Sequence, residues 1–279
     1  MRIAFTSLMA IAIMPVSAFA WGQEGHSIVA EIAQRRLTAS AAEMVSTLLG
    51  SGVSLGSIST WADDVRGERP KTYNWHFVPM PIGQSDYDPQ RDCKLDPEKG
   101  DCVIAEIARA QKEMYCASED LARTEALKFL VHFVGDLHQP SHTVLEDLGM
   151  NRHAVTTRIG GETCGNACEF HRLKSEDENL HTVWDSTLIK RQVYSWGAYV
   201  DRLEASWLKT ADVTAEQAGN PASWAVETHK IAQTVFAETP ANHFLDDPYF
   251  DKQIPVIDKQ LGRAGLRLAR LLNEPVSCP

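Results

Sequence analysis

The sequence predicts a mainly α-helical fold, because apolar residues recur at steps of three and four while runs with the alternating pattern of half-buried strands are scarce. Chain length and cysteine content complete that expectation. The 279 residues show no linker that would divide them, so they fit a single compact domain behind a leader, and six cysteines can staple it with disulfides.

In chain order, Met1-Arg2 is followed by a largely apolar run from Ile3 to Met14 and then by Ser17-Ala-Phe-Ala20, the charged start, apolar middle and small-residue exit of a signal peptide. A spanning helix needs about 20 apolar residues, and Pro15 and Ser17 interrupt this one. The expected boundaries are therefore a signal peptide over 1–20 and one domain over 21–279, exported to the periplasm or secreted, with no stable membrane association. The absence of any Asn-x-Ser/Thr site points to a bacterial exported protein. Loss of Arg2 would take the formal charge from −10 to −11, which disfavours duplex DNA binding by counterion release. A polyanionic substrate would need its positive charge from bound metal.

Within the domain, Ser40-x-x-Glu43 reads as a capping box ahead of Val45, Leu48 and Leu49, with Gly50 as terminator. Trp61-Ala-Asp63-Asp64-Val-Arg66 begins a short helix. The Pro-, Asp-, Gly- and Lys-rich stretch from Pro79 to Cys102 reads as a long surface loop, and loops of that length usually serve function. A second loop is expected from about Gly149 to Asp177. Val193, Trp196, Val200, Leu203 and Trp207 step by three and four, as do Ile257, Leu261, Ala264, Leu268 and Leu271; both sets mark core-facing stripes. Local pairing joins Cys93 to Cys102 and Cys164 to Cys168, leaving Cys116 for Cys278 by elimination. The competing reading of Cys164 and Cys168 is half of a zinc site.

Chemistry concentrates in Phe129-Leu-Val-His-Phe-Val-Gly-Asp-Leu-His-Gln-Pro-Ser-His142. Four helical residues advance ~400°, so His132 and Asp136 project from one face and can hold one ion. The spacing recurs in Asn179-Leu-His-Thr-Val-Trp-Asp185, where His181 and Asp185 are four apart. Further His and Asp residues stand close to tryptophans: Trp21-Gly-Gln-Glu-Gly-His26, Trp61-Ala-Asp63 and Asn74-Trp-His76-Phe77. Imidazole mixed with carboxylate favours zinc over magnesium or calcium. A carboxylate-bridged zinc pair acidifies water toward a pKa of ~7, and such chemistry needs no Ser or Cys nucleophile.

These motifs, in this order over most of residues 21–279, resemble the trinuclear-zinc, single-strand-specific nucleases and 3′-nucleotidases of the S-one/P-one family. The resemblance implies a compact helical domain of the type shared with phospholipase C, acting on single-stranded DNA and RNA and on 3′-mononucleotides to leave 5′-phosphates, as a monomer. It implies three zinc positions: Asp63, His76, His132 and Asp136 at the first; His142, His181 and Asp185 at the second; His26, bridging Asp136 and the free amine and carbonyl oxygen of Trp21 at the third. Asp63 and Asp136 would be the catalytic carboxylates. Phe77 resembles the family's base-stacking aromatic, and Asn151 and Ser186 fall at substrate-contacting positions.

The chain departs from the family pattern at three places. Fungal and plant relatives carry acids after the His-Phe pair, and here Val78-Pro-Met-Pro81 follows. Ser186 stands where fungal relatives have Asn, and a Gly-Gly-Asn loop reads Gly149-Met-Asn151. Zinc-dependent phospholipase C is the alternative enzyme reading, disfavoured because that family places Glu at the position of Asp185; an exported, non-enzymatic zinc-binding protein is the third. His138, ~240° around the helix from His132, should face away from the metal. His153, His171, His229 and His243 read as surface or structural residues, Asp64 as a support for Asp63 or a solvated charge, and Arg66 as a partner for either.

Overall fold

The structure is a computed structural model, and it describes residues 21–145, 150–158, 176–192 and 195–278. The leader, the Cys164/Cys168 pair, most of the second loop with Gly149, and His171 and Val193 lie outside the described residues. The expectation of a mainly helical fold holds. Helices α1 (Gln23–Gln34), α2 (Ala39–Leu49), α3 (Trp61–Arg66), α4 (Val103–Cys116) and α5 (Asp120–Leu137) form the first half, and α6 (Trp196–Ala205), α7 (Pro221–Glu238) and α8 (Asp247–Asn273) the second. No described helix is long and apolar enough to cross a membrane.

The periodic stripe on α8 does what its spacing predicts: Ile257, Leu261, Ala264 and Leu268 are fully buried, each large side chain contributing about 1.5–3 kcal/mol through its removal from water. That stripe packs against α1, whose Ile28, Val29, Ala30, Ile32 and Ala33 are equally buried. Their approach depends on Gly265, since a Cβ there would overlap the Ile32 side chain. Helix α5 runs through the middle, apolar on every side from Phe129 to Leu137 and buried throughout, as a core helix must be. The polar side chains at 132 and 136 are therefore fully buried.

A small sheet carries the other half of the site. Strand β1 (Ala154–Arg158) lies between β2 (Glu176–Asn179), its antiparallel partner, and β3 (Phe244–Asp246), its parallel one. From Asn179, whose side chain caps the next turn, the chain passes directly into the helical run that holds His181 and Asp185. Disulfides join Cys93 to Cys102 and Cys116 to Cys278, the pairings expected.

Four local expectations need correction. Helix α2 starts two residues early: Thr38, in extended backbone, caps it by accepting the Ala41 N–H at 3.3 Å, so Ser40 is already helical and makes no capping box; Gly50 ends it at φ 93° as expected. Trp196, placed in the core by periodicity, is 37% exposed at the first turn of α6, and Trp207 starts a separate turn after the break at Ser206. The Pro79–Cys102 loop is not structureless, because Met80 is fully buried, its carbonyl accepts the Leu145 N–H at 3.0 Å, and a helical turn forms at Pro89–Asp92. His181 and Asp185 sit where the helix widens into a π-turn over Val183–Thr187, a form that recurs at functional sites.

Candidate metal centre

The centre is built outward from α5. His132 and Asp136 are fully buried on one face of it. His132 Nδ1 donates to the Ser59 carbonyl at 2.7 Å, which fixes the ring and turns Nε2 inward. Three other donors converge on the same point. The 3₁₀ turn Pro70–His76 delivers His76, whose Nδ1 lies 2.9 Å from Asp136 Oδ2 and 3.2 Å from His132 Nε2. The first turn of α3 delivers Asp63, whose Oδ1 lies 3.6 Å from both His76 Nδ1 and His132 Nε2. His132 Nε2 and Asp136 Oδ2 close the set at 3.2 Å.

These separations resemble the edges of a coordination tetrahedron, since ligands ~2.0–2.1 Å from one zinc stand ~3.3 Å apart. The second oxygen of Asp136 points elsewhere, to His26 Nε2 at 3.4 Å, from which a carboxylate can bridge two ions. His26 is held by contact with α5: its ring stacks on His132 at 4.0 Å, and a Cβ on Gly135 would lie 2.8 Å from its Nδ1. Trp21, fully buried, stands against the same turn. A third group forms from His142, on the 3₁₀ turn begun by Pro140, together with His181 and Asp185. The Nε2 atoms of the two histidines are 3.1 Å apart, and His181 Nε2 is 3.2 Å from Asp185 Oδ2. His142 Nδ1 donates to the His76 carbonyl, which again directs Nε2 inward.

The donors fit a cation because the protein leaves them incomplete. Both ring nitrogens of His26, Asp63 Oδ1 and Asp136 Oδ1 are buried without a hydrogen-bond partner among the described residues, a condition that costs ~1–3 kcal/mol for each neutral group and more for a charged one. Electrostatics agree. Burial draws His76 down to about 4 and lowers His26 and His142, while it raises Asp63 and Asp185. Burial also opposes charge on His132 and Asp136, but their mutual attraction, aided by Asp63, lifts His132 to about 9 and holds Asp136 well below the usual carboxylate range.

The His and Asp residues singled out in the sequence as ligands gather here in three groups, with the Trp21 side chain buried beside them; the substrate-contacting residues divide. Phe77 is half-buried, 4.6 Å from the His142 ring, and with Asn151 lines an open cleft of about 630 Å³. Ser186 lies outside that lining and stands against Gly22, where a Cβ would collide with its hydroxyl. Asp64 is exposed. Two further contributors stand around the site: Arg66, read in the sequence as a partner for Asp63 or Asp64, and Gln139, which sequence reading missed. The Arg66 guanidinium lies over Tyr73 at 4.1 Å and Phe77 at 5.1 Å, near enough for its charge to act on Asp63 and His76. Gln139 donates its amide N–H to Asp185 Oδ1 and accepts from Ser141 N, which leaves Oδ2 to face His181. The three-residue step from Asp63 to Arg66 was a visible signal; nothing local announces Gln139.

A protein-family model described as S1/P1 Nuclease matches residues 21–277. Endonuclease 2 of Arabidopsis thaliana is 31% identical over 91% of this chain and 89% of its own length. Nuclease P1 of Penicillium citrinum is 28% identical over 91% and 97% respectively. For Nuclease S1 of Aspergillus oryzae the values are 26%, 94% and 93%.

Proposed function

The chain belongs to the S1/P1 nuclease family of phosphodiester hydrolases, and from that premise we propose that it is an exported, zinc-dependent endonuclease of single-stranded DNA and RNA. It leaves 5′-phosphates, removes the phosphate of 3′-mononucleotides, and works as a monomer in the periplasm or outside the cell. The observation that carries this reading is the donor set around Asp136, four tetrahedrally spaced groups on one side and His26 on the other, with buried atoms that nothing among the described residues satisfies.

Asp63, His76, His132 and Asp136 would hold one zinc, His142, His181 and Asp185 a second, and His26, Asp136 and the Trp21 amine and carbonyl a third. Zinc at these positions supplies Lewis acidity toward phosphate oxygens and brings the pKa of water toward ~7. The protein does the rest. Asp136 shares its two oxygens between sites and Asp63 closes the first; Gln139 and Ser59 hold ligand orientation, the kind of support whose loss costs about 10–100-fold. Phe77 stacks a base, which tolerates any sequence. Arg66 brings positive charge to the phosphate in a chain of net charge −10, and Asn151 and Ser186 contact the sugar-phosphate. The amine of Trp21 exists only after cleavage behind Ala20.

The deciding experiment compares matched single-stranded, duplex and 3′-mononucleotide substrates with phosphatidylcholine, while zinc is counted on the same sample. Single-strand cleavage with three zincs per chain is expected. Turnover of phosphatidylcholine without DNA cleavage would favour the phospholipase reading, and hydrolysis insensitive to chelators would sink the metal mechanism. An added residue ahead of Trp21 should lower zinc from three to two and activity with it; full activity would refute the role of the amine.

A further inference from the structure

The cleft that Phe77 lines stands beside the metal centre, and large apolar side chains are exposed along it. Tyr73, Leu95 and Leu145 are 48%, 69% and 51% exposed and all line it. Large apolar side chains scattered singly over a surface mean little, but several gathered on one concave surface mark a binding site. The surface is continuous with the catalytic centre, because the Tyr73 and Phe77 rings are 6.3 Å apart and Phe77 touches the His142 ring.

Charge narrows the occupant. The acids of the cleft are engaged locally: Asp92 by Arg91 at 2.6 Å and the Asp88 N–H at 2.9 Å, and Asp101 by Arg109 at 2.8 Å. Asp96 accepts the backbone N–H groups of Glu98 and Lys99. Of the cations, Arg91 is spent on Asp92. Lys94 lines the cleft with no ion pair or hydrogen bond among the described residues, and the Lys99 ammonium, outside the lining, rests 5.6 Å over the Tyr73 ring. Aromatic and aliphatic walls with cations at the rim are the means by which proteins hold single-stranded nucleic acid, bases stacked and phosphates neutralised.

We propose that Tyr73, walled by Leu95 and Leu145, is a second base-binding platform, so that the cleft holds two bases of one strand, the inner on Phe77 and the outer on Tyr73. Lys94 and Lys99 meet the phosphate beside the outer base. This rests on the reading of the chain as a single-strand nuclease and extends it from one base to two. Tyr73 also carries Arg66 on its ring, so the test must separate a base platform from a prop for that guanidinium.

Short single-stranded oligonucleotides, each with one base replaced by an abasic residue, make the separation. In the wild type two abasic positions should each lower kcat/KM, by about tenfold, the scale of one stacked base. In Tyr73→Ala the penalty at the outer position should vanish while that at the inner one remains; Leu95→Ser should shrink the outer penalty, and Tyr73→Phe should restore it. A loss in Tyr73→Ala that is equal on every oligonucleotide, or a wild type sensitive at one position only, would overturn the proposal and leave the nuclease reading standing. A wild type that cleaves none of them would defeat that reading itself. Folding is not in question for side chains this exposed, and an unchanged Tm checks it.

Discussion

His132 and His138 stand six residues apart at the end of α5, both fully buried, yet they belong to opposite kinds of polar interior. His138 is finished by the protein: Nδ1 donates to the Val134 carbonyl at 2.7 Å, and Nε2 accepts from Arg267, whose charge is answered by Glu227 at 2.6 Å. Its main-chain carbonyl accepts from Gln260. Across the helix, His132 and Asp136 point into a group of donors that lack each other's protons and retain buried atoms without partners. Burial of polar groups is common to both. Only the deficit distinguishes a site from a strut, because a closed network needs nothing and an open one is completed by an ion.

The largest effect that could break this contrast is removal of metal. Chelation should abolish activity and lower stability by about 4 kcal/mol or more, the value for a ligand held ~1,000-fold above its Kd, which is a fall in Tm of roughly 10 °C. Calorimetry with and without chelator, followed by zinc titration, measures it; an unchanged Tm would mean that the deficit is filled some other way. Asp136→Asn should behave like the chelated protein and lose more than one zinc, and three ions retained by metal analysis would contradict the bridge.

On the closed side, Arg267→Met should cost about 2–3 kcal/mol, less than a fully buried pair because Glu227 is 43% exposed. Zinc content should not change. Loss of zinc in that variant would show that the two networks are one.

The smallest effect sharpens the contrast through pH. In metal-free protein His132 is raised from 6.5 to about 9, so its contribution is complete below 6.5 and lost as pH rises through about 9. His138 is lowered from 6.5, burial first and Arg267 next, so it costs stability as pH falls below 6.5 and the unfolded chain takes up its proton. At pH 7 zinc must displace the His132 proton, and loading should release about one proton from that ring. Calorimetric titration in two buffers of different ionisation enthalpy counts it, and His132→Gln should remove the alkaline loss of stability.

The contrast also marks what sequence could show. His132 and Asp136, like His181 and Asp185, were legible because four-residue spacing is local geometry. Asp63, His76 and His26 were visible only as donors beside tryptophans, and their convergence came from resemblance. Gln139 was silent because its partner, Asp185, lies on another element, and Tyr73, Leu95 and Leu145 because exposure is decided by tertiary placement rather than composition. Ser40 misled for a local reason: two possible caps lay two residues apart, and Thr38 had the extended backbone.

The bond from the Gly22 N–H to the Asp185 carbonyl, 2.8 Å long, orders events in time. The Gly22 N–H finds this partner only when residue 185 is available, and α1 has its largest packing surface only when α8, near the chain's end, has been made. A chain still under synthesis thus carries scattered ligands and no centre. On the proposed reading, metal capture must wait for residue 185, and a chain stopped before it should hold no complete centre and leave nucleic acid uncut.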